Sequence, residues 1–328
     1  MNLIVTGGAG FIGSNFVRHM LNTYPEYTIV NLDLLTYAGN KASLSDLMDN
    51  PRHIFVEGNI TDRDLLDKLI TEYKVEGIIN FAAESHVDRS ILNPEVFVET
   101  NIQGTLALLD ATRKHSLKKY VQVSTDEVYG SLGAEGFFTE DTPLAPNSPY
   151  SASKAGADML VRSYFETYGM DVNITRCSNN YGPFHFPEKL IPLMITNAMD
   201  QKNLPIYGDG ENIRDWLHVT DHCAAIDLVF HKGKSGEVYN VGGHNERTNN
   251  QIVDLIVDRL NVSKDLVMYV EDRLGHDRRY AIDPIKLETE LGWKPKYTFD
   301  TGIVETIDWY LANEVWWRPL KEKAELVK

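Results

Sequence analysis

Cysteine is scarce in this sequence. Cys177 and Cys223 are the only two in 328 residues, and no CxxC pair or His/Cys metal spacing accompanies them. Neither a disulfide framework nor a metal site is therefore expected, and both thiols read as small buried side chains. Basic runs are also missing. Lys and Arg number 32 against 47 Asp and Glu, giving a net charge of −15. A nucleic-acid partner requires a concentrated basic face, so none is expected. The acidic balance does not exclude an anionic ligand, because a few local arginines outweigh distant charge. No apolar run reaches the ~20 residues that a bilayer-spanning helix needs. The chain opens on MNLIVTGG, without a signal-peptide pattern, so a cytoplasmic location with no membrane partner is expected. Internal repeats and low-complexity tracts are missing too.

What is present is an alternation of strands and helices. LIVTG, YTIVNLD, HIFVEGNI, GIINFAA, KYVQVST and DVNITRC read as strands. FIGSNFVRHMLN, DRDLLDKLITEY, FVETNIQGTLALLDATRKHS and SPYSASKAGADMLVRSYFETYG read as helices between them, with Gly169 a C-cap. This predicts an α/β fold: a doubly wound, Rossmann-type parallel sheet with a smaller, mixed C-terminal substrate-binding domain. After Arg176 the chain turns rich in Pro, Gly and aromatics, and further helices are expected at 220–230, 249–260 and 300–313. The charged tail from Trp316 is expected to be loosely held. The predicted division gives 1–178, with 214–237 returning to it, to a dinucleotide. Residues 179–213 and 238–328 go to the substrate.

TGGAGFIG places Gly7, Gly10 and Gly13 between the first strand and the first helix. Glycine permits the tight turn and lets backbone N–H groups approach a pyrophosphate at the helix's positive end. The plainer reading is a turn that merely lets strand and helix pack. Asp33 favours the dinucleotide: it closes the second strand at the spacing expected of an acid that accepts from a ribose 2′-hydroxyl and repels a 2′-phosphate. NAD is therefore expected rather than NADP.

SPYSASK sets Tyr150 and Lys154 on one helix face. An ammonium beside a phenol favours the phenolate, and such a tyrosine can take a proton from a substrate hydroxyl. Alone, the pair would read as an exposed helical Tyr and Lys. Beside a dinucleotide loop it reads as an oxidation site. STDEVYG then puts Thr125, Asp126 and Glu127 at the carboxyl end of a buried strand, where ligands bind in such sheets. Adjacent carboxyls in a partly dry cleft have their pKa values pushed apart, leaving one base and one acid. Oxidation of a hexose at carbon 4 acidifies the carbon-5 hydrogen. A carboxylate can then remove it while a protonated acid serves the departing 6-hydroxyl. The competing reading is a turn cap, natural for Asp and less so for Glu.

The G-x-x-G-x-x-G loop and the Tyr-x-x-x-Lys pair resemble the extended short-chain dehydrogenase/reductase superfamily. With AAESHVDRS, STDEVYG, RCSNNYGP, EKLIPL, RDWLHV and DRLGHDRRY, the chain resembles the dTDP-glucose 4,6-dehydratase family from its first residues to about Ile282. The TDE triplet is the specific part, since related epimerases usually carry small hydroxyl residues there. The resemblance implies Asp126 as general acid and Glu127 as general base, acting with Thr125, Tyr150 and Lys154. It implies a tightly bound NAD, regenerated each turnover and held by Gly7, Gly10, Phe11, Ile12, Gly13, Asp33, Leu34 and Thr36. Asn59, Ile60, Ala82, Ala83, Ser85, Thr100, Tyr150 and Lys154 complete that set. Substrate contacts are implied for Ser85, Thr125, Asn180, Lys189, Leu190, Pro205, Tyr207, Arg214, Asn249, Arg273 and His276. Tyr207 could equally be core. His86 reads as structural, Asp88 and Arg89 as a local ion pair, and Arg278 and Arg279 carry no assignment.

The implied reaction converts dTDP-glucose to dTDP-4-keto-6-deoxyglucose and water, feeding deoxysugar (for example rhamnose) biosynthesis. A homodimer paired through helices at about 96–115 and 149–168 is implied as well. The alternatives are a nucleotide-sugar 4-epimerase or decarboxylase on the same scaffold, or a non-catalytic NAD-sensing module. An intact Tyr150–Lys154 pair speaks against the last.

Overall fold

Apolar runs separated by amphipathic helices bury themselves best as one parallel sheet with helices on both faces. The computed structural model, which describes residues 1–272 and 277–326, has this arrangement. Its first strands are β1 (Asn2–Thr6), β2 (Thr28–Asp33), β3 (His53–Glu57), β4 (Gly77–Asn80), β5 (Lys119–Thr125) and β6 (Val172–Cys177). With the later strand Val238–Val241 they form a seven-stranded sheet, ordered Val238–Val241, β6, β5, β4, β1, β2, β3. Every pairing in it is parallel. The strand order reverses between β1 and β4, and a crevice opens there beyond the carboxyl ends. On one face, Phe16, Val17 and Met20 pack with Cys223, Ile226 and Phe230. On the other, Leu66, Leu69, Leu108, Leu109 and Val161 form a second core.

The helix Pro149–Tyr168 starts and stops as its sequence predicts. Ser148 and Ser151 exchange side-chain-to-backbone bonds in a capping box, Pro149 opens the first turn, and Gly169 closes it at φ +64°. The continuous helix expected over about 96–115 differs. It is built from Pro94–Phe97, a π-helical turn Val98–Gln103 and Gly104–Lys114. The cause lies in Asn101, whose amide turns inward to accept from the Glu84 N–H and donate to the Glu84 carbonyl and the Ser153 hydroxyl. Meeting three buried partners at once widens the turn.

The rest of the chain has its own core of Tyr181, Met194, Trp216, Ile303, Tyr310 and Trp317. It holds a four-stranded sheet of Asn179–Tyr181, Ile213–His218, Glu246–Thr248 and Arg279–Tyr280, and a two-stranded one of Leu204–Tyr207 with Val267–Val270. The segment expected to return to the large sheet, 214–237, does so only in part. Its helix Val219–Lys232 packs there, but Ile213–His218 pairs in the smaller sheet, whereas Val238–Val241, expected in the substrate part, is the seventh large-sheet strand. The tail is also held more firmly than its charge suggests. Trp317 is fully buried, Lys321 donates to Asp200 at 2.7 Å, and Trp316 donates to the Ser43 hydroxyl at 3.2 Å. Two indoles supply the burial that the charged residues around them hide from a composition reading. Among the described residues no helix is long and apolar enough to cross a membrane.

One buried ion pair braces the sheet beneath the crevice. Arg176 donates through Nε to Asp158 at 2.9 Å and through Nη1 to the Tyr129 hydroxyl at 3.0 Å. Arg176→Leu would strand the Asp158 carboxylate in an interior where it is 0 % exposed. We expect a loss of about 3–5 kcal/mol in denaturant unfolding, with the pair replaced by Asp158→Leu/Arg176→Leu much nearer wild type. Equal losses in the single and double variants would refute this.

Candidate active site

The glycine loop is shaped by close approach. Gly7 adopts φ +68°, and a Cβ there would sit 2.7 Å from the Ala82 nitrogen; one at Gly13 would sit 2.2 Å from the Gly7 carbonyl oxygen. Gly10 precedes the helix Phe11–Thr23 and offers no side-chain cap. The N–H groups of Phe11, Ile12 and Gly13 head that helix with no acceptor inside it, at its positive end. The loop therefore fits a pyrophosphate. Asp33 ends β2 and folds back over the loop, accepting from the N–H groups of Ala9 and Leu35, each at 2.8 Å. Burial raises its pKa and those two donors oppose the rise. Leu34 and Thr36 follow it, and the Gly58 N–H bonds the Asp33 carbonyl at 3.0 Å, bringing Asn59 and Ile60 alongside. These residues suit an adenosine ribose.

A buried polar chain that the sequence did not disclose ties the strand ends together. Tyr120 and Asn80 both donate to the Gln122 side-chain oxygen, Thr6 donates to Asn80, and the Ala82 N–H donates to Thr6 at 3.2 Å. It fixes Ala82 and Ala83 at the crevice. Ser85 lies 3.2 Å from the Tyr37 hydroxyl, and Thr100 occupies the π-helical turn beside Asn101. His86 sits 3.5 Å from Glu188; Arg89 also pairs with Glu188, at 3.9 Å, and covers the Tyr37 ring. Arg89 thus reaches across the crevice rather than only to its neighbour Asp88.

Thr125 ends β5, and Asp126 begins a short helical turn, Asp126–Tyr129. The Thr125 hydroxyl accepts from the Glu127 N–H and lies within 3.3 Å of the Asp126 carboxyl. Asp126 is 2 % exposed. Burial first, then the Glu127 and Asp215 charges, push its pKa well above the carboxylate range, and Arg214 opposes them. Asp126 therefore holds its proton to higher pH than an ordinary carboxyl does. Glu127 is only half-buried and stands beside it. Tyr150, the second residue of its helix, is also buried. Its phenol is raised by burial and then by Glu127, with a hydrogen bond from Thr125 acting the other way. These four groups share one patch of electrostatic reach.

One expectation fails here. Lys154 is expected to lower the Tyr150 pKa, yet burial, followed by the Glu127 charge, raises it. The Lys154 ammonium donates instead to the Val123 carbonyl at 2.7 Å, and burial depresses its own pKa. Desolvation and two neighbouring acids outweigh a cation whose nearest acceptor is backbone.

The remaining predicted contacts lie on the smaller sheets and helices. Asn180 is in Asn179–Tyr181, Lys189 caps the helix Leu190–Met199 and Leu190 opens it, and Asn249 opens Asn249–Leu260. Pro205 and Tyr207 share a strand, and Tyr207 is 47 % exposed, which removes its core reading. Arg214 is buried, donates to the Asp277 carbonyl at 2.8 Å and lies 4.4 Å over the Tyr280 ring. Tyr280, the last residue of DRLGHDRRY and given no role there, has its phenol raised by burial and then by the Glu127 charge, and so belongs to the same patch. Arg278 pairs with Asp209 and Arg279 with Glu246. Arg273 and His276 lie outside the described residues.

A half-buried carboxylate, a carboxyl whose pKa burial raises and two hydroxyls around one crevice can withdraw one proton and supply another on a single ligand. Known proteins resemble this chain along nearly its whole length. The sequence profile described as GDP-mannose 4,6 dehydratase matches residues 4–306. A dTDP-glucose 4,6-dehydratase of Xanthomonas campestris pv. campestris (strain B100) is 54 % identical over 331 residues, covering 95 % of this chain and 94 % of that one. The crystal structure of dTDP-glucose 4,6-dehydratase from Bacillus anthracis in complex with NAD is 56 % identical at TM-score 0.92, covering 98 % of this chain and 99 % of that one. That of DesIV, the Streptomyces venezuelae dTDP-glucose 4,6-dehydratase with NAD and TYD bound, is 51 % identical at TM-score 0.94, covering 98 % and 100 %. Half-identity across nearly the full length of both partners, joined to the TDE turn, leaves one conclusion: the chain belongs to the dTDP-glucose 4,6-dehydratase family.

Proposed function

We propose that this protein is an NAD-dependent hydro-lyase that converts dTDP-glucose to dTDP-4-keto-6-deoxyglucose and water. The observation that carries the reading is the pairing of a buried Asp126, its pKa raised by that burial, with a half-buried Glu127 on one turn. The glycine loop, Asp33 and the residues around it would hold NAD, with Tyr150 and Lys154 beside the nicotinamide. When bound, NAD accepts a hydride from carbon 4 of the sugar and later returns it to carbon 6. Tyr150 takes the proton of the 4-hydroxyl, and Thr125 orients that hydroxyl by hydrogen bonding. Glu127 then removes the proton on carbon 5, and Asp126 gives its proton to the leaving 6-hydroxyl; as the hydride returns to carbon 6, Glu127 gives its proton back to carbon 5, and the proton held by Tyr150 replaces the one lost from Asp126. Atoms balance as one water lost, and the redox change sums to zero. Arg214, Lys189 and Arg273 suit the diphosphate.

Residues 1–178 with the helix Val219–Lys232 and strand Val238–Val241 serve the cofactor, and the smaller sheets serve the nucleotide sugar. Exposed Val98 and Met159, at 45 % and 47 %, fit pairing of the two long helical segments in a homodimer. Two reduced, buried cysteines fit the cytoplasm, and the product suits deoxysugar pathways such as that of dTDP-rhamnose. Relatives at half identity are named dehydratases, so the epimerase or decarboxylase reading has less support.

Incubation with dTDP-glucose carrying deuterium at carbon 4 tests the proposal. We expect a product lighter by one water, with the label recovered at carbon 6 of the same sugar. Unchanged mass, loss of carbon dioxide, or steady release of reduced cofactor would sink it.

A further inference from the structure

Asn180 is fixed from behind. Its Nδ2 donates to the Ser178 carbonyl at 3.0 Å, and its Oδ1 lies 2.9 Å from Nδ1 of His222. Because the amide nitrogen faces a carbonyl, the amide oxygen must face His222. An oxygen there can only accept, so Nδ1 of His222 carries the ring proton and donates it. His222 is 0 % exposed, one turn into the helix Val219–Lys232, and burial drives its pKa down to about 3. It is a neutral donor of fixed tautomer at any physiological pH. Among the described residues its Nε2 has no hydrogen-bond partner. The Nδ1 contact is therefore its polar function.

We propose that His222 is a positioning residue for the nucleotide-sugar site: it locks the Asn180 carboxamide so that the second Nδ2 hydrogen is aimed at the substrate. The inference rests on the reading that Asn180 contacts substrate. With both amide ends tied, Asn180 cannot flip, and the hydrogen left on Nδ2 is a donor of fixed direction. That selects a ligand with an acceptor at this point, such as a phosphate or sugar oxygen. His222 touches no substrate and acts only through Asn180.

The test compares His222→Asn, His222→Gln and His222→Ala in the full-length holoenzyme turning over dTDP-glucose. An Asn side chain carries its N–H group at the position of Nδ1; a Gln carries it one atom too far. We expect KM to rise about tenfold in His222→Gln and His222→Ala, with kcat within about threefold, and His222→Asn to recover most of the loss. Asn180→Ala should raise KM similarly, and Asn180→Ala/His222→Ala should be no worse than Asn180→Ala alone. Equal KM defects in the Asn, Gln and Ala variants would overturn the proposal and leave a packing role. Unchanged KM in Asn180→Ala would overturn the substrate contact itself. A raised KM in Asn180→Ala with none in His222→Ala would overturn the positioning role alone.

Discussion

Glu127→Gln will oxidise its substrate and fail to dehydrate it. Gln has the shape of Glu and sits at a half-exposed position, so the turn Asp126–Tyr129 should persist. A carboxamide, however, is no base at neutral pH. Loss of a positioned general base costs about 10²–10⁴ in rate, and that fall is expected in kcat for water loss. Carbon-4 oxidation depends on Tyr150 and Thr125 and should survive. The absorbance of reduced cofactor should therefore build up after mixing, and carbon 5 should show no exchange with heavy water. Two side effects follow from the lost charge. Glu127 helps raise both Asp126 and Tyr150, so both should titrate at lower pH in the variant. Dehydration at wild-type speed would remove Glu127 from the role of base.

Asp126→Asn should lose activity while gaining or keeping stability. Asparagine fills the same space and cannot give a proton to the leaving hydroxyl, so kcat should fall by about 10²–10⁴. A substrate whose 6-hydroxyl is replaced by fluoride needs no such proton. It should restore most of the rate in this variant and little in Glu127→Gln. The stability effect has the opposite sign. Native Asp126 holds its proton above the pH at which the unfolded chain releases it, near the ordinary value of about 3.9. Between those two pKa values the native state binds more protons, so stability falls as pH rises through the window. At neutral pH the wild type therefore bears a cost that the neutral amide removes, and Tm should not drop. Wild-type dehydration should likewise decline as pH climbs through the raised Asp126 pKa, and the variant should lack that limb. Lower stability together with unchanged activity would contradict both halves.

The strand-helix alternation was legible because burial on both sheet faces demands apolar runs, and those runs are local. The glycine loop was legible because the bulk forbidden at Gly7 and Gly13 is a property of single residues. The π-helical turn was not, because Asn101 answers to Glu84 and Ser153, which lie far from it in sequence. The anchored tail escaped for a related reason: Trp317 finds its burial against helices well upstream. Tyr280 ends the quoted DRLGHDRRY without an assigned role, and only the fold brings it beside Arg214 and into the field of Glu127.

Residue order alone determined the sheet, the dinucleotide loop and the presence of a proton donor next to a proton acceptor, since each depends on neighbours within a few positions. Tertiary structure decided that the Asp126 carboxyl has its pKa raised, where the Lys154 ammonium points and which way the Asn180 amide faces. Those outcomes are set by desolvation and by partners brought in from remote segments, and neither quantity exists until the chain has closed around the crevice.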